Sequence, residues 1–463
     1  MRKAHTSVLL ALLGVCRLAS AVDGDLDIGF GFLGQVTLAP AGMDAQVPGQ
    51  LQLRTDGSNR IVGCIRTLNG QSKPVPWLFR LGANGATDSS FAMTGSKFVT
   101  IPAAATGLAC DGFAVAGNGK IVLASYDGSN QYIMRFKADG TPDTSFNATG
   151  TLTIPRTPSS NDFIYDAAIA ADGSVYIVYS RSTVNGARFL VRHVLENGTV
   201  DMNFGPGGNG GGLTLFDGFA IRTGVTARTD DPNHVLLASD GGIIITGSTT
   251  PMATGNTDFA AARLTSTGDP DPGFGTAGAR IIAFDGGQTN ADRCYASALD
   301  TRGRVVMVGY AQRATAGDYD FATVRLTKTG APDSALGGSG KIQTAFDLNG
   351  AGEDIATSVA IQSDGRILIG GYAKHVTGSS GFDWAVARLL DNGAVDGSFG
   401  AAHNGKQTYT VNLGGVNNDF LYGVVANGSD YVVGGVSTTG TTTESGVLAR
   451  LRLDLVFAGD FGG

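Results

Sequence analysis

A period of about 61 residues runs through the whole chain of 463 residues. Each repeat carries an aspartate that is followed three residues later by an apolar residue, usually Phe. The eight pairs are Asp27/Phe30, Asp88/Phe91, Asp143/Phe146, Asp201/Phe204, Asp271/Phe274, Asp333/Leu336, Asp396/Phe399 and Asp454/Phe457. A period of this length is typical of repeat architectures, in which units stack on one another to form one body.

The clearest repeat unit predicts four antiparallel strands. Asp364-Gly365 separates two apolar, β-branched runs, and Asn392-Gly393 separates the next two, so each dipeptide predicts a tight hairpin turn of type I′. The first turn recurs along the chain at Asp56-Gly57, Asn118-Gly119, Asp172-Gly173, Asp240-Gly241, Arg302-Gly303 and Asn427-Gly428. No segment shows a sustained apolar period of 3.6 residues, so almost no helix is expected.

The second strand of each unit predicts how the units pack. Runs such as Gly242-Ile-Ile-Ile-Thr246 are apolar on consecutive residues, so both faces of each sheet must be covered. Four-stranded sheets stacked around an axis are the blades of a propeller. The chain opens with a lone fourth strand, Asp27 to Leu38, and ends with three strands that lack a fourth. The sequence therefore predicts an all-β, seven-bladed β-propeller over residues 22–463, with residues 22–38 completing the last blade.

The first 21 residues predict a secretory signal peptide. Arg2 and Lys3 give a basic start, Val8 to Val15 is apolar, and Ala19-Ser20-Ala21 is a small-residue cleavage site. A lipoprotein signal ending at Cys16 is the alternative, although Val15 is a poor residue before a lipidated cysteine. Eight apolar residues are too few to span a bilayer, and no other run is longer, so we expect an exported protein that does not span a membrane.

Charge and cysteine content narrow the partners. Without residues 1–21 the chain has ten more acidic than basic residues, which argues against nucleic acid and anionic membranes as partners. Cys64, Cys110 and Cys294 then remain, with no spacing typical of a zinc site or a disulfide framework. We expect three buried thiols. A Cys64–Cys110 bridge is the alternative, and it requires neighbouring strands to bring the two residues together.

The repeat resembles a known family, the bacterial delta-60 repeat, whose consensus runs approximately D-G-K-I-L-V-G-G, D-F-A-V-A-R-L and D-G-x-L-D-x-S-F-G. Residues 364–400, 240–275 and 302–333 match it well. The chain departs from it at Leu336, at Arg302, and at His193, which takes the register of an arginine. The resemblance implies a secreted or periplasmic bacterial protein of unknown biochemical role, and it supplies no catalytic residues.

An arginine stands eight residues before the repeat aspartate in five units. The pairs are Arg80/Asp88, Arg135/Asp143, Arg263/Asp271, Arg325/Asp333 and Arg388/Asp396. A functional site that is needed once would not be copied in every blade. We therefore expect a structural, charge-assisted bond between the third strand and the turn before the fourth.

Catalytic and metal-binding motifs are not found in the sequence. Asp23-Gly-Asp-Leu-Asp27 alternates acids as calcium loops do, but it lacks their central Gly and distal Glu, so a solvated N-terminus is expected. The histidines outside the first 21 residues have no metal-like spacing, and no cofactor is predicted. We expect an exported, non-catalytic scaffold that binds a protein, a peptide or a carbohydrate. A hydrolase or lyase with its site at the channel mouth is the alternative.

The ring face that carries the longer loops is where a ligand is expected. These loops join the second and third strands and vary in length, whereas the tight turns on the opposite face are uniform. Side chains predicted near this face are Tyr126, Tyr310, Tyr372, Asp162, Asp292, Asp354 and Asp419. Tyr rings suit sugar or peptide contact, and carboxylates accept hydrogen bonds. The hypothesis requires exposed side chains; otherwise the tyrosines pad blade contacts and the acids bond local backbone.

Overall fold

The computed structural model describes residues 22–38, 51–68, 73–156, 162–183, 185–206, 212–219, 226–284, 291–313, 317–348, 350, 352–375, 381–411, 413, 418–427, 430–438 and 444–452. These residues form seven antiparallel sheets of four strands each, and essentially no helix. The predicted seven-bladed β-propeller is confirmed.

Blades are numbered 1 to 7 in chain order, and each is built outward from the channel. The innermost strands are β2 (Leu51–Thr55), β6 (Gly112–Val115), β10 (Asp162–Ile169), β14 (Arg228–Leu237), β18 (Asp292–Leu299), β22 (Asp354–Ile361) and β26 (Asp419–Asn427). The second strands are β3 (Ile61–Leu68), β7 (Ile121–Tyr126), β11 (Val175–Thr183), β15 (Ile243–Pro251), β19 (Val305–Gln312), β23 (Ile367–Lys374) and β27 (Asp430–Thr438).

The outer strands complete each blade. The third strands are β4 (Pro74–Leu81), β8 (Asn130–Phe136), β12 (Gly186–Val194), β16 (Asp258–Leu264), β20 (Tyr319–Leu326), β24 (Phe382–Leu389) and β28 (Glu444–Leu451). The fourth strands are β5 (Ser96–Phe98), β9 (Thr151–Pro155), β13 (Leu213–Phe216), β17 (Ala279–Ile282), β21 (Lys341–Thr344), β25 (Lys406–Tyr409) and, for blade 7, β1 (Gln35–Leu38).

The N-terminal strand closes the ring, as the two chain ends predict. β1 pairs antiparallel with β28, with Val36 opposite Leu448 and Leu38 opposite Gly446. Blade 7 therefore contains both ends of the described chain, and β1 supplies its outer strand.

In blades 1 to 6 the first tight turns lie where the sequence places them, but their predicted type is wrong. In blade 3 the Gly173 amide donates to the Ala170 carbonyl and Ala170 N–H donates to Ser174, which makes a three-residue loop. Gly173 has a φ of 84°, whereas Asp172 is not among the residues with positive φ. The turn is thus a type I turn followed by a left-handed Gly, rather than type I′. In blade 1 Asn59 takes the left-handed position instead of Gly57.

The core lies between blades rather than inside them. The described buried apolar residues divide into seven clusters, and each cluster joins two neighbouring blades. The apolar residue of each repeat pair belongs to this core: Phe30, Phe91, Phe146, Phe204, Phe274, Leu336 and Phe399 are at most 1 % exposed. Asp454 and Phe457 lie outside the described residues.

The five predicted Arg–Asp ion pairs are confirmed. In blade 2, Arg135 Nε lies 2.9 Å from Asp143 Oδ2. The same guanidinium also reaches the next blade, since its Nη1 donates to the Gly173 carbonyl at 3.2 Å. In blade 3, His193 takes the register of the arginine and its Nδ1 lies 2.9 Å from Asp201. The repeated arginine therefore ties neighbouring blades together as well as its own turn.

A disulfide joins Cys64 to Cys110, so the expectation of three buried thiols is wrong. Cys64 lies on β3 of blade 1, and Cys110 lies just before β6 of blade 2. Both residues belong to the core between these blades, where their Cα atoms are 6.0 Å apart. Of the three cysteines that the structure describes, Cys294 keeps its thiol, and burial raises the pKa of that thiol. Among the described residues there is no helix whose length and apolarity would let it cross a membrane.

Candidate ligand-binding site

One cavity of about 740 Å³ occupies the central channel, and the inner strands of all seven blades line it. We call the ring face at which the inner strands begin the loop face, and the opposite face, which carries the tight turns, the turn face. The innermost strand of blade 3 starts on the loop face at Asp162 and ends near the turn at Gly173.

A β-bulge interrupts five inner strands at the same position, three residues in from the loop face. The bulged residues are Tyr165, Asn233, Tyr295, Thr357 and Tyr422. An extra residue in one strand disrupts the ladder locally and re-aims its side chain. All five line the channel cavity. The repeated bulge therefore presents one variable side chain per blade to the channel.

Aromatic rings dominate the side of the channel formed by blades 5 to 7. Tyr295, Tyr372 and Tyr422 line the cavity and are partly exposed. Phe420 packs between two of them, with its ring centroid 4.9 Å from Tyr372 and 6.4 Å from Tyr422. Tyr310 lies behind Tyr295, at 5.9 Å. Burial, with the nearby Glu444 charge, raises the pKa of Tyr422 to about 12, so its hydroxyl stays protonated at neutral pH.

Charged groups occupy the other side of the channel, where Asp166 links three blades. Its carboxylate lies 3.5 Å from Arg54 Nη2 and 3.6 Å from His234 Nδ1, and it accepts a hydrogen bond from the Val235 amide at 3.1 Å. Burial lowers the pKa of His234, Asp166 opposes that shift, and Arg54 adds to it. At neutral pH the histidine is therefore a neutral imidazole held beside a carboxylate.

Asp111 lies on the same charged side. Burial raises the pKa of its carboxyl group to about 6, against the hydrogen bond from Ser125 Oγ at 2.6 Å and the attraction of Arg66. The side of the cavity opposite the tyrosines thus combines the carboxylates Asp111 and Asp166 with Arg54 and the neutral His234.

The predicted tyrosines lie on the loop face. Tyr372 lines the channel cavity, and Tyr310 supports Tyr295, which also lines it. Tyr126 packs edge-on against Phe163 of the next blade at 5.6 Å and lies beneath the Arg156 guanidinium. The structure therefore brings Tyr310 and Tyr372 to one side of the channel and places Tyr126 at the junction of blades 2 and 3.

The predicted aspartates begin the inner strands but are buried. Asp162, Asp292, Asp354 and Asp419 are at most 2 % exposed. Asp419 accepts a hydrogen bond from the Val411 amide at 2.7 Å, and Asp162 forms a two-point pair with Arg181 at 2.9 and 2.7 Å. The exposure that the hypothesis required is not met by these four carboxylates. These four aspartates hold the start of the inner strand. Asp230, which is also buried and which the sequence did not single out, has the same place in blade 4.

The bulged residues are the part of the site that sequence reasoning missed, although a signal for them exists. Counting seven residues back from the first-turn dipeptide reaches Asp111, Tyr165, Asn233, Tyr295 and Thr357. The count of three residues inward from each buried aspartate gives the same positions in blades 3 to 6, and in blade 7 it gives Tyr422, which the count from the turn misses. A bulge shifts the alternation of facing by one residue, so a strict inside–outside pattern assigns these side chains wrongly.

Comparison with known proteins agrees with the fold. A family model described as "Domain of unknown function (DUF5122) beta-propeller" matches residues 116–146, 238–274 and 362–399. Each matched segment runs from a first turn to a repeat Phe, so the chain carries propeller repeats of this kind. The search of curated proteins found no relative of this chain.

Solved structures share the architecture at low sequence identity. The polysaccharide lyase Uly1 is 10 % identical with a TM-score of 0.52, and the match covers 91 % of this chain and 99 % of the lyase. The β-propeller domain of the Trilobed protease from Pyrococcus furiosus is 9 % identical with a TM-score of 0.44, covering 90 % and 95 %. YCF48 bound to D1 peptide is 9 % identical with a TM-score of 0.45, covering 94 % and 100 %. At this identity the likeness concerns the fold alone.

Proposed function

We propose that this protein is a binding propeller whose site is the loop-face mouth of the central channel, and that its ligand is an oligosaccharide. One observation carries the proposal: three partly exposed tyrosines, Tyr295, Tyr372 and Tyr422, line one side of a single cavity and face charged groups across it. Ligand pockets typically combine apolar and aromatic walls with a few fixed polar groups.

The chemistry of both sides suits a sugar. A tyrosine ring covers the apolar C–H face of a pyranose, and its hydroxyl exchanges hydrogen bonds with sugar hydroxyls. Across the channel, Asp111 and Asp166 accept hydrogen bonds and Arg54 donates them. A peptide is the competing ligand class, because its side chains can also stack on tyrosine. A cavity of about 740 Å³ is large enough for a short oligomer of either kind.

Binding to glycan and peptide arrays tests the proposal, followed by titration calorimetry with the best ligand. Tyr295→Ala and Tyr422→Ala should each weaken binding about tenfold or more, because a buried aromatic contact typically contributes over 1 kcal/mol. Met202→Ala is the matched control, since Met202 is exposed on the turn face. If the protein binds peptides in preference to glycans, an oligosaccharide is not its ligand. If both tyrosine variants keep the affinity of the unaltered protein, the ligand does not bind at the channel mouth.

A catalytic role is the second candidate, and it is favoured by His234. A neutral imidazole that is oriented by a carboxylate and stands beside an arginine is the arrangement of a general base. In a lyase such a base removes a proton next to a carboxylate that the arginine neutralises. His234→Gln should then abolish product formation from uronate-containing glycans while retaining binding. If the unaltered protein shows no turnover across lyase and hydrolase substrates, the binding role alone stands.

Export completes the proposal. The sequence of residues 1–21 supports a signal peptide, and the resemblance to the delta-60 repeat supports a secreted or periplasmic bacterial protein. Sequencing the N-terminus of the protein recovered outside the cytoplasm should give Val22 as the first residue. Recovery only from the cytoplasm with Met1 retained would contradict export.

A further inference from the structure

The junction between blades 5 and 6 gathers three carboxylates on the loop face. Asp318 and Asp320 stand at the start of β20, and Asp347 lies in the link that follows β21. One oxygen from each lies within 4.8 Å of the other two. Asp318 and Asp320 are only 6 and 2 % exposed. Two negative charges are therefore buried side by side, with the third at the surface.

Buried carboxylate oxygens at this junction lack hydrogen-bond donors. Among the residues that the structure describes, Oδ1 of Asp318, of Asp320 and of the neighbouring Asp354 has no hydrogen-bond partner. Asp354 is held by its other oxygen, which accepts the amides of Phe346 and Asp347 at 2.5 and 3.1 Å. Buried carboxylates without donors are unfavourable unless they are paired with a cation or coordinate a metal ion.

Arg313 is the cation that faces this cluster. Its Nε lies 2.7 Å from Asp320, and its Nη1 lies 3.9 Å from Asp318 and 3.6 Å from Asp347. The Arg313 side chain is 44 % exposed. A single half-exposed guanidinium therefore stands against three clustered carboxylates and a fourth, Asp354, nearby. This leaves an excess of negative charge that a divalent cation would relieve.

The neighbouring junction supplies an internal comparison. The aspartate that begins the third strand of blade 6, Asp383, has donors of its own: His375 Nε2 lies 2.8 Å away, and Thr410 Oγ1 lies 3.2 Å away. A carboxylate at this position is thus satisfied by local donors when it serves only to hold the strand. In blade 5, by contrast, three carboxylates meet at the corresponding junction.

We propose that Asp318, Asp320 and Asp347 bind a calcium ion, and that the ion takes the place of the Arg313 guanidinium among them. Calcium prefers oxygen ligands at about 2.3–2.6 Å, so ligands on opposite sides of the ion lie up to about 5.2 Å apart and the three oxygens of the cluster are close enough to share one ion. Magnesium usually keeps several of its waters and binds through one or two carboxylates, so three clustered carboxylates favour calcium. The bound ion would fasten the start of β20 to the link between blades 5 and 6. This proposal is independent of the oligosaccharide proposal.

Calorimetry with CaCl2 on chelator-treated full-length protein tests the site. We expect one calcium ion per chain and a rise in Tm of about 2 °C or more in millimolar calcium, compared with equal magnesium. Asp347→Asn should remove both signals without impairing folding, since Asp347 is exposed. Asp320→Asn should do the same. Asp383→Asn is the matched control from blade 6, and it should bind calcium like the unaltered chain.

Arg313→Ala separates a calcium site from a purely structural ion pair. If the ion replaces the guanidinium, removing this competing cation should lower the calcium Kd about tenfold, and calcium should restore the lost Tm. If the cluster serves only to hold Arg313, the variant will be less stable and calcium will not rescue it. That result, or the absence of calcium binding by the unaltered chain, would overturn the proposal.

Discussion

Asp27 and Arg450, which are 423 residues apart in sequence, form the ion pair that blades 1, 2, 4, 5 and 6 each make within one repeat. Arg450 Nε donates to Asp27 Oδ2 at 2.8 Å, and the guanidinium lies over the Phe30 ring at 5.4 Å. Asp27 and Phe30 of the N-terminal segment thus contact Arg450 on the third strand of blade 7. Arg452 Nη2 adds a second contact, 3.1 Å from the other oxygen of Asp27.

Asp27→Ala should open the seam of the ring. The change leaves the largely buried Arg450 without its carboxylate, which destabilises the fold by about 1–3 kcal/mol. The loss should appear first as faster hydrogen exchange of the amides of β1. Asp143→Ala, which breaks the equivalent pair inside blade 2, is the matched control and should leave β1 exchange unchanged. Equal exchange of β1 in both variants would show that Asp27 does not hold the seam.

Removing the disulfide should weaken the contact between blades 1 and 2. The Cys64–Cys110 bridge closes a sequence separation of 46 residues, for which the chain-entropy relation gives about 4 kcal/mol. The double variant Cys64→Ala/Cys110→Ala should unfold at a lower urea concentration, and reductant should lower the stability of the unaltered chain similarly. Cys294→Ala retains the bridge and is the control: without reductant its midpoint should stay above that of the double variant, and reductant should lower it as it lowers that of the unaltered chain. A reductant-insensitive midpoint for the unaltered chain would contradict the prediction.

The repeat arginine should not tolerate lysine. Arg135 uses three nitrogens, on Asp143, on Ser145 Oγ at 3.1 Å and on the Gly173 carbonyl at 3.2 Å. An ammonium group cannot make this planar set of contacts, so Arg135→Lys should lower the free energy of unfolding by about 1–3 kcal/mol. Lys137→Ala is the control, and as a surface change it should stay within about 0.5 kcal/mol. Urea unfolding of both variants measures the difference.

The fold could be predicted from the sequence because the same turn and strand pattern recurs in every repeat. A single Asp-Gly turn is ambiguous, but the same turn at matching positions fixes strand order, blade number and the role of the unpaired N-terminal strand. The disulfide could not be derived this way, because Cys64 and Cys110 meet only across the interface of two blades. The turn type was wrong because an Asp-Gly pair suits both a two-residue and a three-residue loop.

The binding site was harder to predict because it depends on where repeats differ. An aspartate recurs at the start of the inner strand, at positions 162, 292, 354 and 419, and a residue that recurs in this way holds its blade rather than a ligand. Tyr165, Tyr295 and Tyr422 occupy one position that varies among blades, and a bulge turns them toward the channel. The sequence did not predict the acidic cluster beside Arg313 because its members are distant in sequence. Asp318 and Asp320 stand at the start of β20, whereas Asp347 follows β21.

Stability should pass through a maximum in mildly acidic solution. Burial raises the pKa of Asp419 to about 6, and the nearby Asp383 charge adds to it, whereas Ser437 and the Val411 amide oppose it. The folded state then binds the Asp419 proton more tightly than the unfolded chain, so its contribution to stability decreases as pH rises from about 4 to 6. In Asp143, hydrogen bonds from Ser145 and Lys120 with the Arg135 charge outweigh burial and lower the pKa to about 2, so stability also decreases as pH falls from about 4 to 2.

Asp419→Asn tests the upper limb of this profile. The amide oxygen can still accept the Val411 N–H bond at nearly the same geometry, but the side chain cannot ionise. Urea unfolding between pH 4 and 7 should therefore show a smaller decline in the free energy of unfolding for the variant than for the unaltered chain. Asp143→Asn should instead flatten the decline below pH 4 and leave the upper limb in place. If Asp419→Asn leaves the slope between pH 4 and 6 unchanged, ionisation of Asp419 does not govern stability in that range.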